Sequence, residues 1–346
     1  MPTEERTETN GLTASDALSA AVSTASEALL PVPAGLSNGA LKAFSRLVGA
    51  AIDKWVAKLE AAPALTRAYT AAEVQQIATT STRIAEQIQV PEEYAEAAWR
   101  KHAKNIVRRQ TNIINICNQA RDELIEPWLV EPPAEAVEGQ AEVSDDWLNI
   151  FDDEAGNMST AHMQQLFGKI LAGEIRKPGS FSIRTVKLLS QLDNEAAKIF
   201  VRLCSIATAV VADDGRVVDV RALALGKRPS ANGMALYGLD FASLNILLEY
   251  GLINAEFNSQ MPYRSCVVEG GSVAATIKYL GKSYVLVPKE VGQNITGDVY
   301  EVGVSMTLAG RQIFEIVEPI QSHEYTKCLF LHFDKLGLAM TECEVA

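Results

Sequence analysis

The chain has 346 residues, 48% of them apolar, long enough for about two domains at ~150 residues each and rich enough to bury a core in both. Its 31 basic residues against 43 acidic ones leave a formal charge of −12, the wrong sign for a protein that coats duplex DNA, so any nucleic-acid site must be a local patch. Five scattered cysteines (Cys117, Cys204, Cys266, Cys328, Cys343) and four scattered histidines (His102, His162, His323, His332) form no C-x-x-C or H-E-x-x-H spacing, which argues against a zinc enzyme; with no secretory leader, they point to reduced thiols in a cytosol-facing protein.

Residues 1–28 are rich in Thr, Ser, Ala and Glu and are expected to be flexible unless an oligomer orders them. Pro31 and Pro33 then break any helix, and Ser37 or Asn38 can cap the run that begins near Ala40. In that run Phe44, Leu47, Val48, Ala51, Ile52, Trp55, Val56 and Leu59 recur at three- and four-residue spacing, while Lys42, Arg46, Lys54 and Lys58 occupy the remaining surface. The charges, Asp53 among them, interrupt any run of ~18–20 apolar residues, so a lone hydrophobic span is excluded. Three readings stay open: a helix lying in the membrane interface, several copies whose polar faces line a shared pore, or a helix burying one stripe in a soluble bundle. On the first two, Phe44, Leu47, Val48, Ile52, Trp55, Val56 and Leu59 form the membrane or pore face.

Helix is predicted again from Thr70 to Gln89 and from Pro91 to about Glu126, the latter opening on a proline and two carboxylates that suit a first turn. Arg100, Lys101, Lys104, Arg108, Arg109 and Arg121 make this stretch basic, either as a solvated face or as a phosphate-contacting one. Residues 29–130 thus read as a helical membrane-associated or oligomerisation region. From Glu131 to Glu154 there are nine carboxylates and no Lys or Arg, opening on Pro132-Pro133; residues 131–143 read as an acidic linker leading into a helical domain over 144–210.

Ser144-Asp-Asp-Trp-Leu148 opens a helix with a capping hydroxyl and two carboxylates. Ser159 or Thr160 caps the next, which carries Met163, Leu166, Phe167, Ile170 and Leu171, and a turn containing Pro178 and Gly179 leads to a third helix started by Ser180 or Ser182. The blocks S-D-D-W-L-N-x-F at 144–151, M-x-x-L-F-G-K-I-L-A-G-E-I at 163–175 and K-P-G-S-F-S-I-R-T-V at 177–186, with R-R-Q-T-N-I-I-N-I at 108–116, resemble a bacterial domain family of uncharacterised function over roughly residues 100–340. The layout also resembles abortive-infection anti-phage effectors, among them the membrane effector of the Hailong defence systems. That resemblance implies a homo-oligomer, a tetramer being one arrangement, forming an ion channel in the bacterial inner membrane with its sensing domain in the cytoplasm. It further implies gating by a nucleotide or short single-stranded DNA ligand from a partner nucleotidyltransferase, and no cofactor. At the residue level, Arg176, Lys177 and Arg184 flank a Gly-Ser turn whose backbone N–H groups could hold a phosphate; alternatively Arg184 anchors Asp145 or Asp146.

Residues 195–209 read as an apolar helix, and the period changes after Asp213-Asp-Gly-Arg216. A helix ending at Gly251 and a strand follow, then strand-like runs at 282–287 and 299–305 and a strand-to-helix turn at 306–314. This order resembles a winged-helix domain over 211–346. The candidate recognition helix at 240–250 carries Asp240, Asn245 and Glu249 but no cation, which argues against operator reading. For a single-stranded ligand, Tyr279, Lys282, Tyr284 and Arg311 are candidates; the structural alternative packs both tyrosines on a strand face and uses Arg311 as a helix cap. Catalysis finds no support: Thr276 replaces the first glycine a phosphate loop needs before Gly281-Lys-Ser283, no G-x-S-x-G exists, and the carboxylate pairs fall in linker, cap or turn contexts.

The sequence therefore predicts a mainly α fold with a C-terminal α+β part: N-terminal amphipathic membrane-associated helices, a helical linker region and a winged-helix-like ligand-sensing domain. Two functions compete, a ligand-gated, non-enzymatic defence effector forming a membrane channel and a soluble adaptor or regulator acting through protein contacts.

Overall fold

Hydroxyl and carboxylate caps set where the helices start. The computed structural model describes residues 42–44, 46–47, 92–130, 142–290 and 299–343. After the long α1 (Glu92–Val130), α2 (Asp145–Ala155) opens where Ser144 accepts from the Trp147 N–H, and α3 (Ala161–Arg176) where Thr160 accepts from Met163. Ser182 starts α4 (Ile183–Gln191) by accepting from Thr185, and Asp193 starts α5 (Asn194–Ser205) by accepting from Ala196. Each such cap satisfies one orphan donor and contributes about 1 kcal/mol.

The chain divides into two compact units, Met1–Val186 and Lys187–Ala346, with the division inside α4. In the first, α1 supplies Ile113, Ile114, Ile116, Cys117 and Ala120 to a core shared with Phe167, Ile170 and Leu171 of α3 and Trp147, Leu148 and Phe151 of α2. Trp147 stacks on Phe151 at 4.9 Å between ring centroids. Gly168 permits close approach of α1 and α3, since a Cβ there would lie 2.5 Å from that of Gln119. Burial pushes the Cys117 thiol well up, which keeps it a small apolar residue rather than a nucleophile.

The second unit holds a wholly antiparallel sheet of β1 (Ala207–Ala212), β2 (Val217–Leu223), β3 (Ser259–Pro262), β4 (Ala275–Tyr279), β5 (Lys282–Pro288), β6 (Tyr300–Ser305) and β7 (Leu338–Glu342). The spatial order is β3-β6-β2-β1-β4-β5-β7. Helix α8 (His323–Lys335) lies on one face: Tyr325, Leu329 and Phe333 are buried, Thr326 meets the Tyr279 hydroxyl at 2.8 Å, and Phe330 packs edge-on to Tyr284. Helix α6 (Phe241–Glu249) runs into Gly251, and α7 (Leu308–Phe314) starts at Thr307. Those two ends lock together. The Thr307 N–H donates to the Leu252 carbonyl at 3.0 Å, its hydroxyl donates to that of Gly251 at 2.6 Å, and a Cβ on Gly310 would come 2.0 Å from the Leu252 oxygen.

This is an α+β architecture, and the winged-helix reading is not confirmed. The runs at 282–287 and 299–305 are members of a seven-stranded sheet rather than a small wing, and residues 254–294 supply β3, β4 and β5. The apolar run at 195–209 is helix only to Ser205; Ala207–Ala212 is a strand with neighbours on both sides, buried on both faces and so lacking the alternation that would mark it. Helix α5 packs on α6 and leads directly into β1, all within the second compact unit. The predicted flexible N-terminus 1–28, helix 70–89 and linker residues 131–141 lie outside the described residues. Among the described residues no helix is long and apolar enough to cross a membrane.

The contact at Gly310 makes a direct test. Gly310→Ala should destabilise the fold by about 3 kcal/mol, the upper part of the range for overpacking against fixed backbone, read as a lowered urea midpoint; an unchanged midpoint would refute the close approach.

Candidate functional site

The three signature blocks converge on one turn. Glu174, near the end of α3, is buried, and its carboxylate accepts from the Gly179 N–H at 2.6 Å and the Phe181 N–H at 2.9 Å. Trp147 from α2 donates its indole N–H to the Phe181 carbonyl at 2.7 Å. Gly173 lies under the same ring, since a Cβ there would stand 2.5 Å from Phe181 Cε2. Gly179 turns the chain at φ +89°, and the Ser180 N–H donates to the Lys177 carbonyl. The N–H groups that could have faced a phosphate are thus engaged by protein, two of them by a carboxylate. Of the expected cations, Arg176 donates to the Glu123 carbonyl, while Lys177 and Arg184 are exposed. Asp145, a candidate partner for Arg184, pairs with Arg46 instead.

The N-terminal amphipathic segment meets the start of α2. Arg46 reaches Asp145 at 2.6 Å and the Asn149 side-chain oxygen at 3.1 Å, and Lys42 pairs with Glu142. On the apolar side Ala43, Phe44 and Leu47 are buried. A cavity of about 520 Å³ opens here between Lys42 and Arg46 on one wall and Glu142, Ser144, Asp145 and Leu148 on the other. It brings two cations and two carboxylates around one opening. Of the predicted membrane or pore face only Phe44 and Leu47 are described; Val48, Ile52, Trp55, Val56 and Leu59 lie outside the described residues.

The basic stretch of α1 divides by direction. Arg109 turns to α2, donating to Asp153 at 3.4 Å and to Asn157, and Arg121 is buried beside Asp122. Lys101, Lys104 and Arg108 remain exposed. Between α1 and α3 runs a polar seam in which Asn112 donates to the Gly156 carbonyl at 2.9 Å and accepts from Gln164 at 3.1 Å. Burial raises the Asp152 carboxyl above its ordinary value against the lowering effect of Arg109, with Asp153 adding to the rise.

In the second unit Tyr279, Lys282 and Tyr284 come together on the β4–β5 hairpin, but both tyrosine rings are buried against α8 and offer no open face for a base. Lys282 is exposed and paired with Glu342 at 2.8 Å. Arg311 stands apart on α7, donating to the Val218 carbonyl at 3.4 Å, with its Nε buried and without a hydrogen-bond partner. Two buried polar pairs were not legible beforehand. Arg221 and Asp219 pair on β2, and Glu301, 3% exposed, receives His332 Nε2 at 2.8 Å. The only sequence trace of the first is two charges at i and i+2 within an otherwise apolar strand. Among the described residues no His, Cys, Asp and Glu cluster suits a metal ion.

A family model described as "Protein of unknown function (DUF2806)" matches residues 96–330, and the chain belongs to that family. No curated protein and no solved structure matches the chain.

Two measurements probe this site. Glu174→Gln leaves one turn N–H facing an NH₂ group and should cost about 2–3 kcal/mol in chemical denaturation, the cost of losing a charged acceptor from a buried donor. For Asp152 the folded state holds the proton more tightly than the unfolded chain, so ionised Asp152 is a penalty that is present above the raised pKa and fades as pH falls toward the ordinary carboxylate value. Asp152→Asn should therefore raise the thermal midpoint at pH 7, with a gain that shrinks as the medium is acidified to about pH 4.

Proposed function

We propose, for this member of a family without assigned chemistry, that the chain is a non-enzymatic effector of anti-phage defence. Its N-terminal helices act as a homo-oligomer at the bacterial inner membrane, where they form an ion channel with the sensing domain on the cytoplasmic side. A nucleotide or short single-stranded DNA supplied by a partner nucleotidyltransferase controls that channel. The observation that carries this reading is the docked amphipathic segment: its apolar residues Phe44 and Leu47 are buried while Lys42 and Arg46 are held by exposed ion pairs and, for Arg46, an exposed hydrogen bond to Asn149. Such pairs are worth about 1 kcal/mol or less each and are screened by salt. A helix held this way can be exchanged for a bilayer, where the same apolar stripe enters the acyl boundary and Lys54 and Lys58 meet anionic headgroups. Since a single span is excluded by its charges, the membrane form is a shared one, with polar faces turned to a common pore.

For the ligand, the exposed Lys177 and Arg184 beside the signature turn remain the cations able to meet phosphate. Ligand binding that favours the docked state would set the resting condition, and its loss would release the helix. The burial of Phe44 and Leu47 also favours a second reading, a soluble adaptor in which this helix is an ordinary bundle member.

Leakage from anionic phospholipid vesicles separates the two. Full-length chain should release trapped dye, Arg46→Glu should speed release several-fold, and adding Asp145→Arg to it should return the rate toward that of the unmodified protein. Short single-stranded DNA should slow release by the unmodified chain, and Lys177→Gln with Arg184→Gln should weaken that effect. Vesicles left intact by every variant would defeat the effector reading in favour of the adaptor.

A further inference from the structure

The two ends of the sheet differ in what they offer to another strand. At the β3 end the ladder to β6 is fixed by the Tyr263 N–H donating to the Val299 carbonyl, which turns Met261 and Ser259 toward β6 and leaves Gln260 and Pro262 facing outward. One of those two has no N–H. A short edge carrying a proline is a closed edge.

The β7 end is open. The Cys343 N–H donates to the Ser283 carbonyl and the Lys289 N–H to that of Gly337, which sets the alternation across the β5–β7 ladder: Ala339 and Thr341 face β5, and Leu338, Met340 and Glu342 direct their N–H and C=O groups away from it. Among the described residues β7 has β5 as its one neighbour. The strand contains no proline and no lysine, and its one charge, Glu342, is already balanced by Lys282 at 2.8 Å. Helix α8, which leads into it, exposes Leu331, and the connecting residue Leu336 is 47% exposed.

We propose that β7 pairs with β7 of a second copy of this chain, antiparallel about Met340, to make one sheet continuous across two protomers. The outward set is symmetric about Met340, so Leu338 meets Glu342 of the other copy and Met340 meets itself, and every outward donor finds an acceptor. No like charges fall opposite one another. Because the other edge is closed by Pro262, addition stops at two copies instead of propagating into a fibre. This names one contact of the homo-oligomer proposed above and rests on that reading only for the presence of more than one copy.

The register gives a sharp test in the full chain with Cys343→Ser. Ala339 and Thr341 of opposite copies form a non-hydrogen-bonded pair, with Cα atoms about 4.5 Å apart, within reach of a disulfide. Under mild oxidation the double variant Ala339→Cys, Thr341→Cys should give a covalent dimer on a non-reducing gel, and either single variant should not. A double variant that stays monomeric, or a single variant that cross-links equally well, overturns the pairing. Glu342→Pro answers independently, because it removes one outward donor and leaves the β5 ladder intact: the association constant in sedimentation should fall at least tenfold, and an unchanged constant, or an unmodified chain that sediments as a monomer, also overturns it. Cross-linking without vesicle leakage would sustain the pairing and fail the membrane reading; leakage without cross-linking would do the reverse.

Discussion

A carboxylate taken out of water must be given donors, and Glu174 receives two from the backbone of the turn that follows its own helix. That exchange holds Phe181 where the indole of Trp147 can donate to its carbonyl and where Gly173 leaves room for its ring. The turn needs Gly179 at positive φ to bring both N–H groups round to one side chain. Three sequence blocks that look like separate motifs are therefore one packing unit. Their chemistry-bearing residues, a glutamate, a tryptophan and a glycine-containing loop, are consumed by the fold. This is a physical reason why so specific a signature names no reaction.

Several helix caps were legible in the sequence because a cap is a local event: Ser144, Thr160 and Ser182 each satisfy an N–H three residues on, and the residue type announces it. The Gly251 stop was legible for the same reason. The sheet was not. Strand β1 reads A-T-A-V-V-A, small and apolar on both faces, so neither alternation nor helical period separates it from the end of α5. Strands β3 and β4 are short, and their pairing partners lie far along the chain. The candidate site was half legible. The sequence names cations, but whether a tyrosine stacks on a ligand or packs under a helix depends on α8, whose placement over Tyr279 and Tyr284 no local pattern encodes.

Buried charge does for the sheet what Glu174 does for the turn. Arg221 binds Asp219 with two nitrogens and also donates to the carbonyls of Ser259 at 2.9 Å and Glu301 at 3.2 Å, tying β2 to β6 and β3. A one-residue slip of β2 would carry the guanidinium to the other face and strand Asp219, so the pair specifies register more than it adds stability. A hydrogen bond from His332 to the Glu301 carboxylate, and a neutral one between Tyr263 and Thr208 at 2.9 Å, also tie β6 and the β3 end of the sheet in place. Removing one member of the Arg221–Asp219 pair leaves an uncompensated buried charge, whereas an apolar pair in the same place could be tolerated.

The docked N-terminal segment sits at the opposite extreme of energy. Burying Phe44 and Leu47 is worth roughly 1.5–3 kcal/mol for each side chain, while the exposed pairs of Lys42 and Arg46 add about 1 kcal/mol or less apiece. Apolar burial therefore sets how firmly the segment is held, and the charges set its orientation and its sensitivity to salt. A bilayer can compensate the same apolar loss and also attract the cations, so on the proposed reading the choice between protein and lipid is balanced to within a few kcal/mol. Moving such an equilibrium from 1:99 to 99:1 takes about 5.5 kcal/mol of differential binding, an amount that a phosphate ligand held by two or three charge-assisted hydrogen bonds can supply. Were the segment held by a buried pair like Arg221 with Asp219, losing a ligand of that size could not release it.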